Sequence, residues 1–168
     1  MSKSDIVKQS IGIDVSKADL TFRLINVHRD GRLLRRSRKK FTQSIKGFTK
    51  FGQWIGSTKI ADASSVFVME ATGVYHENLA YHLHDLGHRV SIVLPNKIKA
   101  YSRSFNEKSK NDEIDADLIA RLGAERDLRI WQPAHQNTRH LKKLNRQRQV
   151  FVSERIEIKN RLHAVLHS

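Results

Sequence analysis

Asp14, Glu70, Asp112 and Asp115 occupy positions where a carboxylate is hard to explain as packing. Asp14 closes the apolar run Ile11-Gly12-Ile13, and Glu70 closes Val66-Phe67-Val68-Met69. Asp112 and Asp115 stand three residues apart where a helix opens. A carboxylate at the end of a buried strand must be hydrogen-bonded, paired or metal-bound, because burying it bare is too costly. Several such groups converging on one point would repel one another unless a divalent cation neutralised them. In a basic chain, that combination points to phosphodiester chemistry.

Each acid also has a plainer reading. Asp112 suits a helix N-cap, with Ser109 as another candidate cap, and Asp115 suits the first turn. Asp14 could cap a turn into Ser16-Lys17. Glu70 precedes Ala71-Thr72-Gly73, a small-residue turn at a strand's C-terminal end, where open α/β sheets place ligands. The conjunction, rather than any single acid, argues for a site.

The elements that must position these acids follow from periodicity. Residues 10–15 and 20–26 read as strands, the second with alternating faces, Asp30-Gly31 marks a turn, and 32–41 returns as a charged edge strand. Ser44 is placed to cap a helix with Ile45, Phe48, Phe51 or Gly52, and Ile55 inward, stopped by Gly56. Val66–Glu70 and Val90–Leu94 read as buried strands, the second closed by Pro95. Between them a helix from Val74 to Leu86 turns Leu79, Leu83 and Leu86 inward and ends at Gly87. A short basic helix from Asn96, a polar loop from Phe105 to Lys110, and a helix over Asp112–Arg126 follow. The last has Ile114, Leu118, Ile119 and Leu122 as its apolar face. Hairpins first and strand–helix alternation after predict an α/β domain with a mixed five-stranded sheet and flanking helices over residues 1–128.

Residues 127–136, with Trp131 and Pro133, read as a linker into a second region, 129–168. There Leu141, Leu144, Phe151, Ile158, Leu162 and Val165 fit heptad a and d positions, with Arg148 and Arg155 at two a sites. A long C-terminal helix associating as a coiled coil or helix hairpin is expected. The alternative is one amphipathic helix folding back on the domain.

Charge bounds the partners. A formal +14 and a pI near 10.4 call for a polyanion, nucleic acid first. The excess is clustered: Arg32, Arg35, Arg36, Arg38, Lys39 and Lys40, then Lys97, Lys99 and Arg103, then Lys142, Lys143 and Arg146. These are the expected phosphate contacts. Zero cysteines exclude disulfides and thiolate catalysis and fit a reducing compartment. The N-terminus has no signal-peptide apolar region and no stretch nears the roughly 20 residues needed to span a bilayer, so an intracellular, non-membrane protein is expected. The glycines are too dispersed for a phosphate loop, and ATP use is not indicated. His76, His82, His84 and His88 fall on several faces of one helix and its exit, which favours solvated or edge histidines over a metal set.

Three segments together resemble a known family. Ile11-Gly12-Ile13-Asp14-Val15-Ser16-Lys17, Met69-Glu70-Ala71-Thr72-Gly73-Val74-Tyr75 and Lys110-Asn111-Asp112-Glu113-Ile114-Asp115-Ala116 are similar, in order and spacing, to the N-terminal signatures of the DEDD transposases. This is insertion-sequence family one-ten, which includes the Piv-type DNA invertases. Asn111 departs from the Thr of many relatives. The resemblance implies a ribonuclease H-like fold close to the Holliday-junction resolvase RuvC. It implies that Asp14, Glu70, Asp112 and Asp115 are a catalytic tetrad holding Mg²⁺, with Mn²⁺ as a substitute. It further implies DNA and a structured guide (bridge) RNA as partners, self-association through the C-terminal helix, and a bacterial cytoplasmic location at the nucleoid when DNA-bound. Relatives carry a later domain with a nucleophilic serine, and that motif is absent from these 168 residues. A truncated or decayed form, not competent in strand transfer alone, is therefore expected. Two rivals stay open: a nucleic-acid-binding module without metal chemistry, and a stand-alone junction resolvase or nuclease.

Overall fold

The computed structural model describes residues 5–58, 60, 64–71, 73–105 and 112–167, with 112–115 described for their backbone alone. Five strands and five helices follow in the order β1 (Ile6–Val15), β2 (Asp19–His28), β3 (Leu33–Thr42), α1 (Ile45–Thr58), β4 (Ser65–Glu70), α2 (Tyr75–Asp85), β5 (Val90–Val93), α3 (Pro95–Arg103), α4 (Asp112–Glu125) and α5 (Gln136–Leu166). They form two compact units, Met1–Trp131 and Gln132–Ser168.

The first unit is built on one mixed sheet of order β3-β2-β1-β4-β5. The β1–β2 and β2–β3 pairs are antiparallel, as short connections allow, and β1–β4 and β4–β5 are parallel across helical crossovers. One face packs Ile11, Ile13, Phe22, Phe67 and Met69 against Phe51 and Trp54 of α1 and Leu79 and Leu83 of α2. The opposite face packs Val66, Val68 and Val93 against Ile98 of α3 and Leu118, Ile119 and Leu122 of α4. Cover on both sides is why β4 reads as an unbroken apolar run.

On that second face β1 offers only small residues to α4. A Cβ on Gly12 would overlap the backbone nitrogen of Ala120 and the carbonyl of Ala116. A Cβ on Gly123 would overlap Ser10 Oγ and Val68 Cγ2. Helix and strand therefore meet backbone to backbone, an approach that glycine permits.

Several local expectations are corrected. Helix α1 runs through the exposed Gly56 to Thr58, where Ser57 and Thr58 hydroxyls donate back to the Trp54 carbonyl. Its inward stripe is Gly47, Phe51, Trp54 and Ile55, and Ile45 lies off it at 87% exposure. Ser44 does cap this helix, accepting from the Gly47 N–H at 3.1 Å. Leu86 follows the last turn of α2 and is exposed, since the helix ends before carrying it round to the core. Pro95 starts α3 as well as closing β5, a first-turn place that suits its missing N–H. The polar loop expected from Phe105 to Lys110 lies largely outside the described residues, as does the side chain of Ile114.

The stretch read as a linker begins as part of the first unit. Trp131 N–H donates to the Val90 carbonyl at 2.7 Å, and Ser91 Oγ donates to the Arg129 carbonyl at 3.0 Å. Leu128 and Ile130 pack on the second core, and the Trp131 ring meets Tyr81 edge-on.

The second unit holds α5, 31 residues long, none of them buried among those described. Leu144, Arg148, Phe151 and Arg155 line one shallow concavity, so two arginines do share a face with the apolar seam. Among the described residues no helix is long and apolar enough to cross a membrane.

Candidate functional site

The parallel ladder between β1 and β4 has Ile13 opposite Met69 as its last pair, and Asp14 and Glu70 come next on each strand. Strand side chains alternate, so Ile13 and Met69 enter the α1–α2 core while Asp14 and Glu70 face the α3–α4 side. Both acids are half-buried. Asp14 is also opposite Thr21 in β2, Thr21 opposite Lys40 in β3, and Glu70 opposite Val93 in β5. Directly paired residues share a face. Lys40, Thr21, Asp14, Glu70 and Val93 thus make one row across the C-terminal end of the parallel strands.

Helix α4 is aimed at that row. Gly123 sits over Ser10, and Ala116 and Ala120 sit over Gly12, so the helix runs back along β1. Four residues from Ala116 to Asp112 advance about 6 Å, and two strand residues from Gly12 to Asp14 about 6.6 Å. The first turn of α4, which carries Asp112 and Asp115, is therefore level with Asp14 and Glu70. The side chains of Asp112 and Asp115 lie outside those described, and among the described residues no three His, Asp or Glu groups could hold a metal ion together. The donor chemistry of the strand-end pair fits a hard cation: two half-buried carboxylates at the ends of adjacent strands, whose backbones run about 4.8 Å apart, offer oxygen ligands on one face.

Two polar clusters hold α4, and sequence reasoning missed both. Asp117 lies 3.0 Å from Arg23 Nε of β2 and accepts from Arg35 Nε of β3 at 2.9 Å. On the other flank Glu125 accepts from Arg121 at 2.7 Å and from the Tyr101 hydroxyl of α3 at 2.8 Å, and Arg121 stacks over Phe105. Burial works to raise the Glu125 pKa, but the Arg121 and Tyr101 hydrogen bonds and the nearby arginine charges outweigh it and hold the carboxyl below its ordinary value. Burial, then the Glu125 hydrogen bond, push the Tyr101 phenol above its usual range. One signal was available: Arg23 stands between Phe22 and Leu24 in the middle of a strand, and an inward charge requires a partner.

The basic residues divide by surroundings. Arg32 is paired with Asp30, Arg35 with Asp117, and Lys40 with Asp19 at 3.1 Å. A bulge in β3 sets Arg35 opposite Ile25 but Arg38 opposite Arg23, which keeps both on the Asp14 face despite their odd spacing. Arg36, Arg38 and Lys39 are exposed on this edge strand. Lys97, Lys99 and Arg103 are exposed on α3, which starts at the same sheet end as Asp14 and Glu70. Lys142, Lys143 and Arg146 are exposed on α5. His76 is buried in the first turn of α2, and His82 stacks on Phe48.

This sheet order and helix placement define a ribonuclease H-like fold of the RuvC type. The Thermus thermophilus RuvC structure matches with a TM-score of 0.52 at 12% identity, over 73% of this chain and 99% of that one. The chain belongs to the DEDD transposase family of the IS110 type, whose model, described as a transposase, matches residues 11–168. It is 35% identical over 125 residues to the pilin gene-inverting proteins of Moraxella lacunata and Moraxella bovis. That match covers 74% of this chain and 39% of each relative. It is 31% identical over 88 residues to the transposase for insertion sequence element IS1328 of Yersinia enterocolitica, covering 52% of this chain and 25% of that protein. The chain spans about two-fifths of the length of the first of these curated relatives. Family and fold therefore agree with the resemblance carried by the three sequence segments.

Proposed function

We propose that this chain is the divalent-metal-binding catalytic domain of a DNA transposase or site-specific recombinase. The observation that supports it most is the alignment of Asp14 and Glu70 at adjacent strand ends with the first turn of α4 directed at them. In this reading Asp14, Glu70, Asp112 and Asp115 hold Mg²⁺ or Mn²⁺ beside a DNA phosphate. A bound cation would polarise the phosphate and stabilise a departing oxygen. The protein's own contribution is to fix the carboxylates on rigid strand ends and exclude water beneath them with the Gly12–α4 contact. Arg38 on the Asp14 face of β3, and Lys97 and Lys99 on α3, which starts at this end of the sheet, take neighbouring phosphates, with Arg36, Lys39 and Arg103 as further exposed cations of the same two elements. Lys142, Lys143 and Arg146 add further basic groups on α5.

Three finer points belong to the same proposal. A structured guide RNA is a second polyanion for the basic blocks. The exposed apolar seam of α5 serves self-association. Acting on chromosomal DNA, the protein would be found in the bacterial cytoplasm, at the nucleoid when DNA-bound.

The test is thermal stability against Mg²⁺ and Mn²⁺ for the wild-type chain and Asp14→Asn. A ligand that binds only the folded state raises the melting temperature. A metal-dependent rise that disappears in Asp14→Asn is the expected result. No rise in the wild type, with nucleic-acid binding retained, would favour a binding module whose acids are only caps.

A further inference from the structure

We propose that Asp117 is a positioning residue, which sets the register of α4 on the sheet and through it the approach of the Asp112–Asp115 turn to Asp14 and Glu70. The inference rests on the metal-site reading above. Where α4 crosses β1 it presents Ala116, Ala120 and Gly123 to Ser10 and Gly12. Such a contact brings backbones close, but it offers few side-chain ridges to fix the helix along its axis. Ala120 and Ala124 continue the flat contact against Ile25 of β2. Asp117 supplies the missing direction. Its carboxylate meets Arg23 of β2 at 3.0 Å and Arg35 of β3 at 2.9 Å, with only 19% of the Asp117 side chain exposed. The two arginines come from adjacent strands, so the helix is referenced to two points of the sheet. Asp117 lies two residues beyond Asp115, so a shift of α4 at this clamp moves the whole first turn. Arg35, although its side chain is 59% exposed, is thereby a structural cation rather than a phosphate contact.

Calorimetric titration of Mn²⁺ into folded wild type, Asp117→Asn and Arg35→Gln tests this, with circular dichroism confirming the fold of each. Asp117→Asn should need on the order of tenfold more Mn²⁺, the scale seen when an outer-shell support of a metal site is lost. Arg35→Gln is the decisive arm. If charge alone mattered, removing a cation near the carboxylates would tighten Mn²⁺ binding; a positioning role predicts weakening by several-fold. Weakening in both variants supports the inference. An Arg35→Gln affinity equal to or tighter than wild type overturns it and leaves the metal site standing. If Asp117→Asn does not fold, Arg35→Gln decides alone, since it retains the Arg23–Asp117 pair. Absence of Mn²⁺ binding in the wild type overturns the metal reading and this inference together.

Discussion

Gly12 of β1 lies directly beneath Ala120 of α4, so close that a single methyl group on the glycine would overlap the helix backbone. The spacing between that strand and that helix is therefore set by a hydrogen atom. Gly12→Ala must push α4 off the sheet, and overpacking of this kind costs about 3 kcal/mol where backbone rather than a side chain must give. Urea denaturation should show a lowered midpoint, and Mn²⁺ binding should be lost with it. A midpoint equal to wild type would mean that α4 rides higher than described.

Glu70→Gln is the complement. Replacing one of two adjacent carboxylates removes like-charge repulsion while keeping the shape. The metal-free variant should melt no lower than wild type, yet gain nothing from Mn²⁺. A fall in metal-free stability would instead identify Glu70 as a structural acid.

Acid and alkali should act on the α3–α4 contact from opposite directions. The folded pKa of Glu125 lies below its ordinary 4.5, so its stabilisation is present above that value and fades as pH falls through the folded pKa. The folded pKa of Tyr101 lies above its ordinary 10.0, so its stabilisation is present below pH 10.0 and fades as pH rises beyond it. Tyr101→Phe should flatten the alkaline limb and reduce the acid one. Melting temperature followed from pH 3 to pH 11 (on the order of eight values, spanning both limbs) would display this.

Exposed cations can be counted by salt. Replacing Arg36, Lys39 or Lys97 by Ala should weaken nucleic-acid binding and reduce the slope of log K against log salt by about 1 for each phosphate no longer neutralised. Arg35→Ala should change that slope less, because its guanidinium is held by Asp117. Fluorescence anisotropy over a salt series separates the two classes.

For α5, Leu144→Asp with Phe151→Asp should abolish any self-association in sedimentation experiments. Neither residue is buried, so the melting temperature should move little, within the roughly 0.5 kcal/mol typical of surface changes.

How far the sequence reveals this arrangement varies by element. The strands declared themselves by alternation or by unbroken apolar runs, and Asp14 and Glu70 were visible because an acid ending such a run has no packing role. Alternation also required them to share a face once their strands were neighbours. The identity of the neighbours was not visible in periodicity, because pairing of β1 with β4 joins residues far apart in the chain. Asp117 was hidden for another reason. It follows Asp112 and Asp115 on the same helix and has the composition of a solvated face, and only the pairing of β2 with a bulged β3 under α4 brings Arg23 and Arg35 to it. Leu86 erred outward because α2 ends before carrying it round, and Ile45 because the inward stripe of α1 runs through Gly47, Phe51, Trp54 and Ile55 and leaves the first residue off it.

The backbone bond from Trp131 to Val90 marks where this fold can be cut. Arg89 gives its carbonyl to β4, so the Val90 carbonyl points the other way, and Trp131 meets it on the sheet's far rim. A fragment ending at residue 128 would leave that rim bare, with polar groups open to pairing with a neighbouring copy. A fragment ending at 131 keeps it sealed. Three residues thus separate a tractable expression boundary from one prone to sticky, strand-swapped material.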